Sequence, residues 1–216
     1  MIKLKKSDII LIIFVVLAIL GVIIFGKVGV TKKDSDVDEP INNAPSNLLS
    51  GKHYVEIDVE KYGKIKLELD ADIAPITVTN FINLVNDKFY DGLTFHRIID
   101  GFMIQGGGYE KDGSRKIASS IKGEFLDNGV KNNISHKRGV ISMARTQYNM
   151  DSASSEFFIT QADSLHLDGS YAAFGYVIDG MDVVDKIAKN SKPTDNNGSI
   201  SLDDRPVIKS IRVVES

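Results

Sequence analysis

The stretch that most limits the fold is "HYVEIDVEKYGKIKLEL", residues 53–69. Val55, Ile57 and Val59 alternate with Tyr54, Glu56 and Asp58, the chain turns at Tyr62-Gly63, and Ile65, Leu67 and Leu69 resume the same period. Side chains two apart share one face of a strand, so this pattern predicts an antiparallel hairpin with one face buried. A helix is expected next. Pro75 suits its first turn, and Val78, Phe81, Ile82 and Val85 recur at helical spacing to form an apolar stripe. Further short strands fit residues 95–98, 102–105, 139–144, 157–161, 173–177 and 207–213, with a second helix over 182–189. Many short strands and two helices predict a mostly β architecture, a closed or nearly closed antiparallel barrel capped by helices.

Ahead of this pattern, Ile9 to Phe25 forms an apolar run of 17 residues behind Lys3, Lys5 and Lys6. That is the short end of what crosses a hydrocarbon core, and it predicts an uncleaved N-terminal transmembrane helix. A signal peptide competes, but the run is long for one and Phe25-Gly26-Lys27-Val28 lacks a small-residue cleavage site. Lys27, Lys32 and Lys33 nearly balance the leading lysines, and the short head favours the N-terminus inside and the domain outside. "KKDSDVDEPINNAPSNLLSG" then reads as a polar tether, because it has too little apolar surface to offset its ordering entropy. The expected organisation is an anchor over residues 1–31, a tether over 32–51 and a folded domain over 52–216. The location that follows is the cell membrane, single-pass, with the domain extracytoplasmic.

Composition removes several chemistries. A formal net charge of −3 supplies no concentrated basic face, which argues against nucleic acid as a partner. With no cysteine there is no disulfide, thiolate nucleophile or cysteine-ligated zinc. His53, His96, His136 and His166 are scattered without metal-ligand spacing, so neither a metal nor another cofactor is expected. Asp151, Asp168 and Asp179 read as turn residues.

The blocks "FHRIIDGFMIQGGG", "GVISMAR", "SSEFFIT" and "LHLDGSYAAFGYVIDGMDVVDKI" occur in the order and with the spacing of the signature blocks of the cyclophilins, the cyclosporin-type peptidyl-prolyl isomerases. The resemblance runs from about His53 to the end of the chain. It implies a closed eight-stranded antiparallel barrel with a helix at each end and an active groove on its outer surface. It also implies peptidyl-prolyl cis-trans isomerase activity, which assists protein folding, on proline-containing polypeptide clients. Carried over position by position, it makes Arg97, Phe102 and Gln105 catalytic and places Met103, Ala144, Phe158, His166, Leu167 and Tyr171 in substrate binding.

The chemistry of these residue types agrees. Amide resonance sets a barrier of about 18–20 kcal/mol to rotation, and before proline both isomers are populated. A twisted prolyl bond localises the nitrogen lone pair, which a fixed guanidinium in a water-poor apolar groove can stabilise. No proton has to be removed, so His96 is expected to order local structure rather than act as a base. Taken one at a time, Phe102, Met103, Phe158 and Leu167 read as ordinary core residues.

Four positions depart from the familiar family pattern. Glu156 stands where many members carry glutamine, and is placed to pair with Arg97 or Arg145. Arg145 replaces a frequent asparagine, which puts a substrate-backbone contact in question. Tyr171 stands where a histidine is frequent. His166 holds the place of a tryptophan associated with strong cyclosporin binding, so weak cyclosporin binding is expected. Two other readings stand beside the isomerase: a proline-peptide binding module with little turnover, and an anchored scaffold whose barrel is a spacer.

Overall fold

The computed structural model describes residues 47–216. The expected anchor over residues 1–31, and the tether as far as residue 46, lie outside the described residues. Among the described residues no helix is long and apolar enough to cross a membrane.

The expected hairpin is β1 (Lys52–Val59) and β2 (Gly63–Asp70), paired in the register Val55↔Leu67 and Ile57↔Ile65. Those four side chains are fully buried, as period two requires. Helix α1 (Pro75–Asn86) follows, then β3 (Phe95–Ile99), β4 (Met103–Gly106), β5 (Val140–Met143), β6 (Phe157–Thr160), β7 (Ala173–Asp179), α2 (Met181–Asn190) and β8 (Ile208–Val214). All neighbours are antiparallel, and the sheet order is β3-β4-β6-β5-β7-β2-β1-β8. Most of the expected ends move by one or two residues. Phe102 belongs to the turn before β4, where its N–H donates to the Ile99 carbonyl at 3.0 Å, and Gly139 and Ala144 flank β5 rather than lie in it.

The expected closure of the barrel is corrected. The sheet curls until its outer strands approach, but β3 and β8 share no ladder; the seam is one bridge, Thr94↔Val207. The Phe95 N–H donates to the Pro206 carbonyl at 2.9 Å and the Ile208 N–H to the Leu93 carbonyl at 2.7 Å. Two causes stop the pairing there. Pro206 has no N–H to donate, and the edge of β3 is taken by the loop after α2. That loop contributes an Arg97↔Ser199 bridge, with the Ile98 N–H bonded to the Gly198 carbonyl at 2.8 Å.

Helix α1 buries Val78, Phe81, Ile82 and Val85 against the sheet, as its spacing predicts. Phe81 is the hub of an aromatic cluster, with ring centroids 5.1 Å from Tyr90, 5.6 Å from Phe157 and 5.3 Å from Phe174. Buried Glu124, far along the chain, accepts bonds from the N–H groups of Ile76 and Thr77 at 3.0 and 2.7 Å. It satisfies two unpaired donors where the helix dipole favours negative charge.

Candidate active site

Strand alternation builds the site. In β3, β4, β6 and β5 the register aligns Ile98, Ile104, Ile159 and Ile141 in one row, and all four are fully buried in the main core. The neighbouring row, Arg97, Gln105, Phe158 and Ser142, therefore points to the other face of the sheet. The paired phenylalanines separate in the same way. Phe157 joins the main core, while Phe158 joins a second cluster with Met103 and Leu167, packed by Phe102, Ala144 and Tyr171.

This outer face holds a groove of about 290 Å³ lined by Arg97, Phe102, Met103, Gln105, Ala144, Arg145, Phe158, Leu167 and Tyr171. Eight of the nine residues singled out from the sequence are thus brought together. The ninth, His166, is exposed at the rim, its ring centroid 5.5 Å from that of Phe102. Arg145 completes the wall.

Arg97 is held at two points. Its Nε donates to the Asn197 carbonyl at 2.7 Å, and its Nη1 donates to Gln105 Oε1 at 3.1 Å and lies 3.7 Å from Met103 Sδ. Its Nη2 makes no hydrogen bond among the described residues. Burial draws the guanidinium below its usual pKa, but arginine remains ionised in proteins. The result is a fixed cation with a spare donor beside an apolar floor.

That floor is braced from behind. The His136 ring stacks on Phe158 with centroids 6.0 Å apart, its Nδ1 donates to Asp168 Oδ1 at 2.8 Å, and its Nε2 lies 3.0 Å from Ser142 Oγ. A carboxylate only accepts, so the proton sits on Nδ1 and Nε2 accepts from the serine. Burial, outweighing Asp168, lowers the His136 pKa and keeps the ring neutral. The order Ser-His-Asp suggests a hydrolase triad, yet His136 and Ser142 are fully buried, and no substrate reaches the hydroxyl. Asp168, expected as a turn residue, is the anchor of this strut. The Asp168-Gly169 dipeptide gave a local explanation that hid the longer-range one.

The expected partners of Glu156 are also corrected. It pairs with neither Arg97 nor Arg145. Its Oε2 accepts from Gln105 Nε2 at 3.0 Å and lies 3.5 Å from His96 Nε2, and its Oε1 lies 3.6 Å from Arg115. Burial pushes this carboxyl upward, but His96, Gln105 and Arg115 together outweigh it and hold the pKa below the usual value. Arg145 turns the other way. Its Nε donates to the Ser170 carbonyl at 2.9 Å, and its guanidinium stacks over Tyr171 and Phe125 at 4.9 and 5.2 Å from the ring centroids. Glu156 and Arg145 both line a smaller adjoining cavity of about 110 Å³. Among the described residues no group of His, Asp and Glu side chains is arranged to hold a metal ion.

With this geometry in hand, comparisons with known proteins are specific. The family pattern described as "Cyclophilin type peptidyl-prolyl cis-trans isomerase/CLD" matches residues 54–215. The chain is 43% identical over 160 residues to peptidyl-prolyl cis-trans isomerase A of Dickeya dadantii (strain 3937), covering 71% of this chain and 80% of the relative. It is 44% identical over 135 residues to peptidyl-prolyl cis-trans isomerase B of Escherichia coli (strain K12), covering 58% and 79%. The crystal structure of a Cryptosporidium parvum cyclophilin type isomerase superposes with a TM-score of 0.63 at 27% identity, over 77% of this chain and 99% of that one. The same isomerase in the presence of the dipeptide Ala-Pro gives 0.62 at 28% identity, over 76% and 99%. The binding-module and scaffold readings are thereby set aside, and the chain belongs to the cyclophilin-type family as a peptidyl-prolyl cis-trans isomerase.

Proposed function

We propose that this isomerase turns prolyl bonds in the 290 Å³ groove, and that it does so tethered to the membrane, on polypeptides folding outside the cytoplasm. The observation that carries the first part is the doubly held Arg97 with its unbonded Nη2 beside Met103 and Phe158. The proline ring packs on Phe102, Met103, Phe158 and Leu167, and Gln105 and the rim orient the flanking backbone. The Ala-Pro dipeptide used with the Cryptosporidium parvum relative supports a ligand of this kind. As the bond twists, its nitrogen loses conjugation and gains a localised lone pair, and Arg97 donates to it. The donor is already in place, so little reorganisation is needed as the charge develops. No group is transferred and no cofactor takes part.

The second part rests on the apolar run over residues 9–25 and the polar segment after it. The chain is already tied to the fold at Leu49, whose N–H donates to Thr79 Oγ1 at 2.9 Å. The full chain should therefore sediment with membranes and lose its domain to protease added from outside. A fragment starting at Leu49 should stay soluble, unfold cooperatively and accelerate isomerisation of a short prolyl peptide. An inactive or aggregated fragment contradicts the independence of the domain, and protection from external protease contradicts the orientation.

His166 sets the expectation for cyclosporin. An exposed imidazole beside Phe102 offers a large apolar ring less contact than an indole would. His166→Trp should tighten inhibition by about 1–2 kcal/mol, at about 25 cal/mol per Å² of apolar area removed from water. Peptide turnover should change little. Equal inhibition constants for the two proteins would show that His166 does not border the bound drug.

A further inference from the structure

Positive charge is concentrated at the groove in a chain whose formal net charge is −3. The groove and its adjoining cavity are lined by three guanidiniums, Arg97, Arg115 and Arg145, against one carboxylate, Glu156. Gln105, Ala144 and Arg145 border both spaces, so the cavity lies directly beside the groove. We propose that Arg115 and Arg145 determine specificity, favouring clients that carry an acidic side chain close to the proline.

The one carboxylate does not cancel this charge. Burial pushes the Glu156 pKa up, but His96, Gln105 and Arg115 outweigh it and keep the group ionised. Its oxygens are already engaged, one by Gln105 at 3.0 Å and His96 at 3.5 Å, the other by Arg115 at 3.6 Å. Its side chain is also only 18% exposed, whereas that of Arg115 is 55% exposed. An incoming side chain therefore meets the arginine before the glutamate. Asp195, whose field reaches Arg97, is outside both linings and is bonded to the N–H groups of Asn197 and Ser199 and to the Ser199 hydroxyl.

Arg145 is held ready for such a partner. Its Nε donates to the Ser170 carbonyl at 2.9 Å and its Nη1 to the Thr146 carbonyl at 3.0 Å, while its face rests on Tyr171 and Phe125. Its Nη2 makes no hydrogen bond among the described residues. A planar fork fixed in this way suits a carboxylate and repels an ammonium. The rest of the cavity wall is neutral, with Thr146, Ser152 and Ser154 contributing hydroxyls. Side chains two apart share one face of an extended chain and lie about 7 Å apart along it. With the proline in the groove, a residue two positions away on the cavity side is thus brought to the two arginines.

This inference rests on the reading that the proline ring occupies the groove, and the test separates the two. Full-length protein is given three peptides that differ only in having Glu, Gln or Lys two residues before the proline, and a matching set with the change two residues after it. Magnetisation exchange yields kcat/KM without a coupling protease. At low ionic strength the Glu peptide of one set should be turned over about tenfold more efficiently than its Lys counterpart, with Gln between them, the scale of two part-exposed ion pairs. Salt at about 0.5 M should shrink that ratio to under about twofold, because the screening length falls to about 4 Å. Arg115→Gln and Arg145→Gln should each narrow it about threefold, and a general change in rate cancels from a ratio. Equal efficiencies for Glu and Lys in both sets, or a preference that neither salt nor Arg115→Gln reduces, overturns the inference and leaves the groove reading standing. Failure to turn over any of the peptides contradicts the groove reading itself.

Discussion

Arg97→Ala should lower turnover of a prolyl peptide by about 10²-fold or more, as loss of one preorganised donor commonly does, while the protein stays folded. The side chain is half-buried, but its bonds run to one carbonyl and one amide, with no carboxylate that its removal would strand. The fold should therefore survive. Arg97→Lys should recover little of the rate. An ammonium is a single point of charge and cannot bond Asn197 and Gln105 while keeping a further donor free for the substrate, as the planar fork does. Near-normal rates in folded Arg97→Ala protein would reduce Arg97 to a structural residue.

Phe81→Ala should have the largest effect on stability. Its ring is fully buried and touches Tyr90, Phe157 and Phe174, so truncation opens a cavity between α1 and the sheet that rigid neighbours cannot fill. A cost of about 3–5 kcal/mol is expected, a large part of the about 5–15 kcal/mol that stabilises a typical domain. A denaturant titration should show the midpoint falling with an unchanged slope. A loss below about 1 kcal/mol would mean that the aromatic cluster collapses around the gap.

What could be read from the sequence was what local periodicity controls. The β1–β2 hairpin and the α1 stripe follow from spacings of two and of three to four, and both stand where expected. The groove was legible because alternation and the signature blocks agree. Phe157 and Phe158 must face opposite ways, and Arg97 and Gln105 lie across from each other on adjacent strands. The seam between β3 and β8 was not legible, since it depends on a loop a hundred residues from Arg97 and on Pro206 falling at the point of closure. The partners of Glu156 were not legible because sequence shows charge but not reach. Arginines at 97 and 145 looked like its partners, whereas register brings a glutamine between Glu156 and Arg97, and Tyr171 and Phe125 draw Arg145 away. The roles of His136 and Glu124 were not legible because a buried polar residue announces itself only through partners distant in sequence.

The central claim is that Arg97 acts on the twisted bond rather than on binding of the peptide. It is tested most directly by magnetisation exchange on a peptide labelled at its proline and saturating the protein, which gives the cis–trans rate of the bound state, alongside titration of the peptide's affinity. For Arg97→Ala the account predicts a bound-state rate lower by about 10²-fold with affinity changed by less than about threefold, because Met103, Phe158 and Leu167 still hold the ring. An unchanged bound-state rate with affinity lost in proportion to turnover would contradict it.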